Sequence, residues 1–249
     1  MTITISNFLD LVTFLCLQIQ AGMEVKALPP RISYFPNFIT AEEEEFLMRK
    51  VYDAPKIKWT QLSNRRLQNW GGLPHSKGMI QEPLPTWLQS FMDRITESTG
   101  AFTATTQPNH CLVNEYRPGQ GIMPHEDGNM FYPTVSTITL GSHTVLDFYK
   151  HINDEDCDTL SVEDRHIGSV LLERRSLVLV QDSMYKTHLH GIKEVACDTL
   201  SQSIANLDHT EHSLGDQLPR DTRVSLTIRH VNKTTNISKS ISLFGKHKK

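Results

Sequence analysis

The segment Arg223-Val-Ser-Leu-Thr-Ile-Arg229 alternates along its whole length. In an extended chain Arg223, Ser225, Thr227 and Arg229 share one face, and Val224, Leu226 and Ile228 share the other. The apolar face predicts a strand packed on a core. The polar face turns two guanidinium groups inward, and buried cations without a counter-charge are strongly unfavourable. A dicarboxylate would compensate them through bidentate hydrogen bonds. One strand thus predicts β architecture and an anionic ligand together.

Upstream, short runs with strand character recur between turns: His110–Tyr116, Thr134–Leu140, Thr144–Tyr149, Ser169–Leu172, Leu177–Gln181 and His188–Ile192, with Val224–Val231 closing the series. Many short strands predict a sandwich or jelly roll. Two helices precede them. Thr40 followed by Glu43 is a capping-box pattern that starts a helix running to about Tyr52. The second begins near Pro85-Thr86, with Leu88, Phe91, Met92 and Ile95 at helical spacing and Gly100 as its stop. The fold class is therefore mostly β with flanking helices (α+β). Asn153–Asp164, with six acids, and Ala196–Pro219, with four, resist assignment and are expected to be solvated insertions.

The chain has 249 residues, 38% hydrophobic and 21% charged, which suits one globular domain and excludes whole-chain disorder. A mean hydropathy of −0.35 excludes a multi-span membrane protein, and no membrane partner is expected. The net charge of −3 is unevenly spread. Arg220–Lys249 carries eight basic residues against Asp221, and Lys56–Lys77 carries five basic residues and no acid. Both blocks suit a polyanionic partner. Cys16, Cys111, Cys157 and Cys197 are too dispersed for a disulfide framework and read as free thiols in a reducing compartment. The apolar stretch Ile3–Ile19 lacks a basic start, so it reads as an extra helix or extension and not as a signal peptide. Residues 1–29 are taken as this extension, 30–232 as the single domain and 233–249 as a basic tail that acts as an electrostatic tether.

The sharpest local motif is Met123-Pro-His-Glu-Asp-Gly128. His125 and Asp127 alternate onto one face, so a nitrogen and a carboxylate can reach one point. Leu112-Val-Asn-Glu-Tyr-Arg-Pro-Gly delivers the chain to them, with Asn114 and Tyr116 on one strand face. His190 follows in Leu189-His-Gly-Ile, and His188 competes with it on the same face.

With these residues in place, the chain resembles the AlkB family of iron(II)- and 2-oxoglutarate-dependent dioxygenases. The resemblance spans residues 30 to 232. Gln68-Asn-Trp-Gly-Gly, Tyr132-Pro-Thr-Val-Ser-Thr-Ile and Gly141-Ser-His-Thr-Val-Leu-Asp-Phe-Tyr point to one branch, that of the sixth animal homologue. The family implies a double-stranded β-helix over about 110–232, with the helices packed outside it. It implies that His125, Asp127 and His190 bind Fe(2+) as a facial triad, with 2-oxoglutarate and dioxygen taking the open positions. The Leu-His-Gly pattern favours His190 over His188. Arg223 would pair with the distal carboxylate of 2-oxoglutarate. Asn114, Tyr116 and Ser225 would add contacts, and Arg229 would lie nearer the metal. The family often has Asn where this chain has Ser225.

The resemblance implies oxidative dealkylation of alkylated bases in nucleic acid, single-stranded or base-flipped. In that reading Lys56–Lys77, where Lys56, Lys58, Arg65, Arg66 and Lys77 interleave with Trp59 and Trp70, corresponds to a lid over the base. The alternatives are a protein-directed dioxygenase acting on methyl-lysine or an unmodified side chain, and a non-catalytic nucleic-acid-binding protein that retains the metal site. A monomer in the cytoplasm and nucleus is expected.

Overall fold

The computed structural model describes residues 22–26, 28–29, 31–75, 77–151 and 161–235. Most of the expected extension, most of the acidic run after Asn153 and most of the basic tail lie outside them; the last residues of the extension are described, and Val25 and Leu28 are buried in the core. In chain order the strands are β1 (Met23–Glu24), β2 (Ile32–Phe35), β3 (Thr60–Gln61), β4 (Arg66–Trp70), β5 (Gly72–Leu73), β6 (Met79–Gln81), β7 (His110–Tyr116), β8 (Ile122–His125) and β9 (Phe131–Leu140). They continue as β10 (Thr144–Lys150), β11 (His166–Leu172), β12 (Leu177–Gln181), β13 (His188–Ile192), β14 (Cys197–Thr199), β15 (Gln217–Pro219), β16 (Arg223–Val231) and β17 (Thr234–Thr235). Among the described residues three α-helices join them: α1 (Ala41–Tyr52), α2 (Thr86–Thr99) and the short α3 (Asp182–Thr187).

Two sheets face each other. The large one runs β1-β2-β12-β9-β16-β7-β4-β3, and the small one runs β11-β10-β13-β8. This is the expected jelly roll with helices outside. β16 lies between β9 and β7 in the large sheet, antiparallel to both. Its apolar residues Val224, Leu226 and Ile228 are fully buried in a core shared with Leu47 and Val51 of α1 and with Leu88, Phe91, Met92 and Ile95 of α2. Burying side chains of this size stabilises by about 1.5–3 kcal/mol each, as an upper bound. The other face of β16 looks at the small sheet. A second core fills the space between the sheets, with Tyr34, Val135, Phe148, Val170 and Val178.

The helix ends follow their sequence signals. The Thr40 hydroxyl accepts from Glu43 N at 3.2 Å, and the Glu43 carboxylate accepts from Thr40 N at 3.0 Å. Glu43 also pairs with Arg94 of α2 at 2.8 Å, which ties the two helices together. Gly100 ends α2 in the left-handed conformation, φ +63°, which glycine adopts without strain.

Residues 196–219 depart from expectation. They are not a solvated loop: β14 pairs with β15, and Leu200 and Ile204 bury against Val145 and Leu171. Asn206 is fully buried, and its amide donates to Leu171 O and accepts from Leu171 N, imitating a neighbouring strand. A segment this poor in periodicity is held on the edge of β11 by this side-chain amide and by backbone bonds from Ser169 N to Ser203 O and from Ala205 N to Ser169 O, 2.8 Å each.

Candidate functional site

The large sheet presents its polar rows to the small sheet in register. Tyr116 of β7 is opposite Arg223 of β16, Asn114 is opposite Ser225, Leu112 opposite Thr227, and His110 opposite Arg229. Directly paired residues share a face, so each pair forms a step of one wall. That wall and the small sheet enclose a cavity of about 300 Å³, lined by all eight residues read from the sequence: Asn114, Tyr116, His125, Asp127, His190, Arg223, Ser225 and Arg229.

At one end three side chains meet. His125 ends β8, His190 sits on β13 directly opposite it, and Asp127 follows two residues after His125. Their ligand atoms all lie within 4.8 Å of one another. The rings of His125 and His190 are 4.4 Å apart between centroids. His125 Nδ1 lies 2.9 Å from Met123 O. A carbonyl only accepts, so Nδ1 carries the proton, and the lone pair on Nε2 is left for a metal. Burial lowers His190 to about 4, against the opposing pull of Asp127, so its ring is neutral and able to ligate. Burial alone would raise the Asp127 carboxyl. Arg229, 3.3 Å away, and the neighbouring His190, His125 and His110 together outweigh it, and the group sits below the ordinary carboxylate value. Asp127 Oδ2 is buried with no hydrogen-bond partner. Such an atom is costly unless something binds it, and two imidazoles plus an ionised carboxylate are the donor set of a non-haem iron(II) site.

His188 is not part of this group. Its Nδ1 lies 3.0 Å from the Thr187 hydroxyl at the end of α3. β13 pairs His190 directly with His125, whereas His188, two positions earlier, lies opposite Lys150 of β10 and has no partner in β8.

At the other end stands Arg223, 4% exposed. Its Nη2 donates to Thr139 Oγ1 at 3.1 Å, its Nε is buried without a partner, and no carboxylate pairs with it among the described residues. Burial lowers its pKa to about 10, so it stays a cation at neutral pH. A buried, charged and unpaired guanidinium fits an anionic ligand. Tyr116 lies beneath it, with the guanidinium 5.9 Å from the ring centroid.

Two further residues of the site, Tyr185 and His110, were not singled out in the sequence, and a third, Arg65, was read there only as part of the basic segment. Tyr185 of α3 lines the cavity, and its hydroxyl donates to Gly128 O at 2.9 Å, holding the turn after Asp127. His110, opposite Arg229, is 1% exposed and contacts Asn69 Oδ1 at 3.2 Å; burial pushes it down to about 3, so it is neutral. Arg65 lines the cavity and donates from Nε to Asn114 Oδ1 at 3.2 Å. The alternation Arg65-Arg66 signals that one of the two faces inward, but the pairing register decides which.

The basic segment is more structural than its composition indicates. Arg66 makes a two-bond pair with the buried Glu115 at 2.8 and 2.6 Å and lies 4.1 Å from the Trp59 ring centroid. Lys58 pairs with Glu82 at 2.9 Å and sits 4.8 Å from the Trp70 ring centroid. Trp59 and Trp70 pack partly buried on the helix-side core. Lys56 and Lys77 are exposed.

The model of the 2OG-Fe(II) oxygenase superfamily matches residues 33–229. The chain is 56% identical over 210 residues to the Danio rerio protein named Probable RNA/DNA demethylase ALKBH6, covering 84% of this chain and 89% of that one. It is 25% identical over 214 residues to the Xenopus tropicalis tRNA (carboxymethyluridine(34)-5-O)-methyltransferase alkbh8, covering 82% of this chain but 32% of that protein. The solved structure of OsALKBH1 aligns with a TM-score of 0.52 at 15% identity, over 82% of this chain and 98% of that one, a likeness of fold. With a buried His–Asp–His group at one end of a jelly-roll cavity and an unpaired arginine at the other, the chain belongs to the 2OG-Fe(II) oxygenase superfamily, in its AlkB branch, and is an oxidoreductase that uses iron(II), 2-oxoglutarate and dioxygen.

Proposed function

We propose that this protein removes alkyl groups oxidatively from bases of nucleic acid, taking the base from a single strand or flipped out of a duplex. His125, Asp127 and His190 hold the iron. Arg223 pairs with the distal carboxylate of 2-oxoglutarate, Asn114, Tyr116 and Ser225 add contacts, and Arg229 serves the metal end. The observation that carries this reading is the polarity of the cavity: three ligand atoms within 4.8 Å of one another at one end, and a buried guanidinium without an acid partner at the other.

Iron(II) with 2-oxoglutarate and dioxygen supplies the oxidation, in which the cosubstrate becomes succinate and carbon dioxide and a C–H bond of the substrate is hydroxylated. Where that carbon is a methyl on a base nitrogen, the hydroxymethyl product releases formaldehyde and leaves N–H. The side chains of this protein do the rest. Arg229 keeps Asp127 ionised, Met123 O fixes the His125 tautomer, and Tyr185 holds the turn between them and the substrate side. Val135, Leu146 and Val178 line the same cavity with apolar surface that excludes water.

A nucleic-acid substrate is supported by the names of the relatives and by the basic segment around Arg65. The proposed places of action are the cytoplasm and nucleus, as a monomer. The test is metal-reconstituted turnover against methylated oligonucleotides and methylated peptides in parallel, read by mass spectrometry. Loss of 14 Da from an oligonucleotide, abolished in Asp127→Ala, is the expected result; loss from a peptide alone would move the substrate class to protein.

A further inference from the structure

Arg65 enters the cavity from the β3–β4 hairpin. It directly precedes β4, one step beyond the Arg66–Glu115 pair, so the register carries it beside Tyr116, which is itself opposite Arg223. Arg65, Tyr116 and Arg223 therefore form one row across three adjacent strands, and all three line the cavity. The alternation sends Arg66 to the opposite face, where Glu115 holds it. Arg65 has no ion-pair partner among the described residues, and its Nε donates to Asn114 Oδ1 at 3.2 Å. A guanidinium only donates, so this bond fixes the Asn114 amide with its oxygen toward Arg65 and its NH₂ turned away from it. Ser225, opposite Asn114, is short and leaves the centre of the row below open to a ligand.

Resting on the cosubstrate reading above, we propose that Arg65 is a cosubstrate-positioning residue: the second cation at the distal carboxylate end, facing Arg223 across Tyr116, and the group that sets Asn114 as a donor. The supporting geometry reaches beyond the row. Asn64, next in the hairpin, donates to Glu194 beyond β13, so the hairpin that carries Arg65 is pinned to the small-sheet side of the molecule. A carboxylate between two guanidinium groups is held by charge-assisted bonds from both sides, while a ligand lacking that carboxylate gains nothing from either.

The experiment is calorimetric titration of two ligands into Mn(II)-loaded protein. 2-Oxoglutarate carries the distal carboxylate; 2-oxopentanoate keeps the same keto-acid end and replaces that carboxylate with methyl. Arg65→Ala, Arg65→Lys and Arg223→Ala are compared with wild type, with thermal unfolding as the check on folding. Arg65→Ala is expected to weaken 2-oxoglutarate by about tenfold, as for a lost charged hydrogen bond, and to leave 2-oxopentanoate within about twofold. Arg65→Lys is expected to recover part of the loss, because it restores charge without the fork. Unchanged 2-oxoglutarate affinity in Arg65→Ala, or equal loss of both ligands, overturns the inference, the second outcome marking a purely structural residue. If Arg223→Ala also leaves 2-oxoglutarate unaffected, the cosubstrate reading itself falls; if Arg223→Ala weakens it and Arg65→Ala does not, only the role of Arg65 does.

Discussion

Arg229 grips the carboxylate of Asp127. Its Nη1 lies 3.3 Å from Asp127 Oδ1, both side chains are buried, and the guanidinium stacks 4.5 Å from the centroid of the Phe131 ring. The two arginines of β16 thus divide their work. Arg229 is neutralised inside the protein and conditions a metal ligand, whereas Arg223 keeps its charge for an incoming anion.

Arg229→Ala should therefore weaken metal binding. Without it, burial dominates at Asp127 and the carboxyl takes up a proton more readily. A loss of roughly 10–100-fold in Mn(II) affinity is expected, the range for residues that support a metal ligand. Arg223→Ala should leave Mn(II) affinity within about twofold, since it touches no ligand. Titration of both variants decides it; equal metal affinity in the two would remove the division of labour.

Arg223→Ala should instead cost cosubstrate binding by about 2–5 kcal/mol, or about 30-fold or more. Arg223→Lys should recover only part, because an ammonium offers a point charge where the guanidinium offers a fork. The readout is 2-oxoglutarate titration into metal-loaded protein, with circular dichroism to show that the fold persists. If all three proteins bind alike, the carboxylate is held elsewhere.

His190→Ala should abolish stoichiometric metal binding, whereas His188→Ala should retain it. The reason is placement: His190 faces His125 across β8 and β13, and His188 is occupied by Thr187. Metal content after reconstitution and desalting reads this out, and a His188→Ala protein that comes out empty would reverse the assignment.

Substitutions in the basic segment should separate into two kinds. Arg66→Ala leaves the buried Glu115, 3% exposed, with only the Tyr52 hydroxyl at 2.8 Å and the exposed Arg117 at 3.9 Å. That should cost about 2–3 kcal/mol of stability, since breaking the two-bond pair leaves a buried charge with only a long, solvent-exposed ion pair. Lys56→Ala with Lys77→Ala should not move the thermal midpoint but should weaken oligonucleotide binding and flatten its salt dependence by about one charge per lysine in contact. Oligonucleotide affinity measured across salt concentrations, alongside thermal melts, distinguishes the two.

Acid stability should report on two carboxylates far from the metal site. Burial would raise Glu44, but bonds from Arg174 and Gly141 N hold it low; burial would raise Asp198, but His143 and Arg220 hold it low. Groups depressed in the folded state stabilise it fully above their ordinary values, 4.5 for Glu44 and 3.8 for Asp198. That stabilisation is lost as the pH falls through the depressed values. Glu44→Gln and Asp198→Asn should therefore be less stable than wild type at pH 7, and their urea midpoints should converge on wild type at low pH. Parallel curves at all pH values would show that neither carboxylate is linked to folding.

The sequence by itself determined the β16 strand, the two helices and the pair His125 and Asp127 as candidate metal ligands. Those signals are local: alternation sets the faces of a strand, Thr40 and Glu43 cap a helix within one turn, and His125 and Asp127 are two residues apart. Long-range pairing was decided only by the tertiary structure. Whether His188 or His190 meets His125 depends on how β8 pairs with β13, and a strand carries no record of its partner's register. The same holds for Arg65 and Arg66, where pairing with β7 sends one to the cavity and the other to Glu115. It holds again for residues 196–219, which dock on the edge of β11 through Asn206 and through backbone bonds to Ser169, contacts between positions about 35 residues apart that no local pattern encodes.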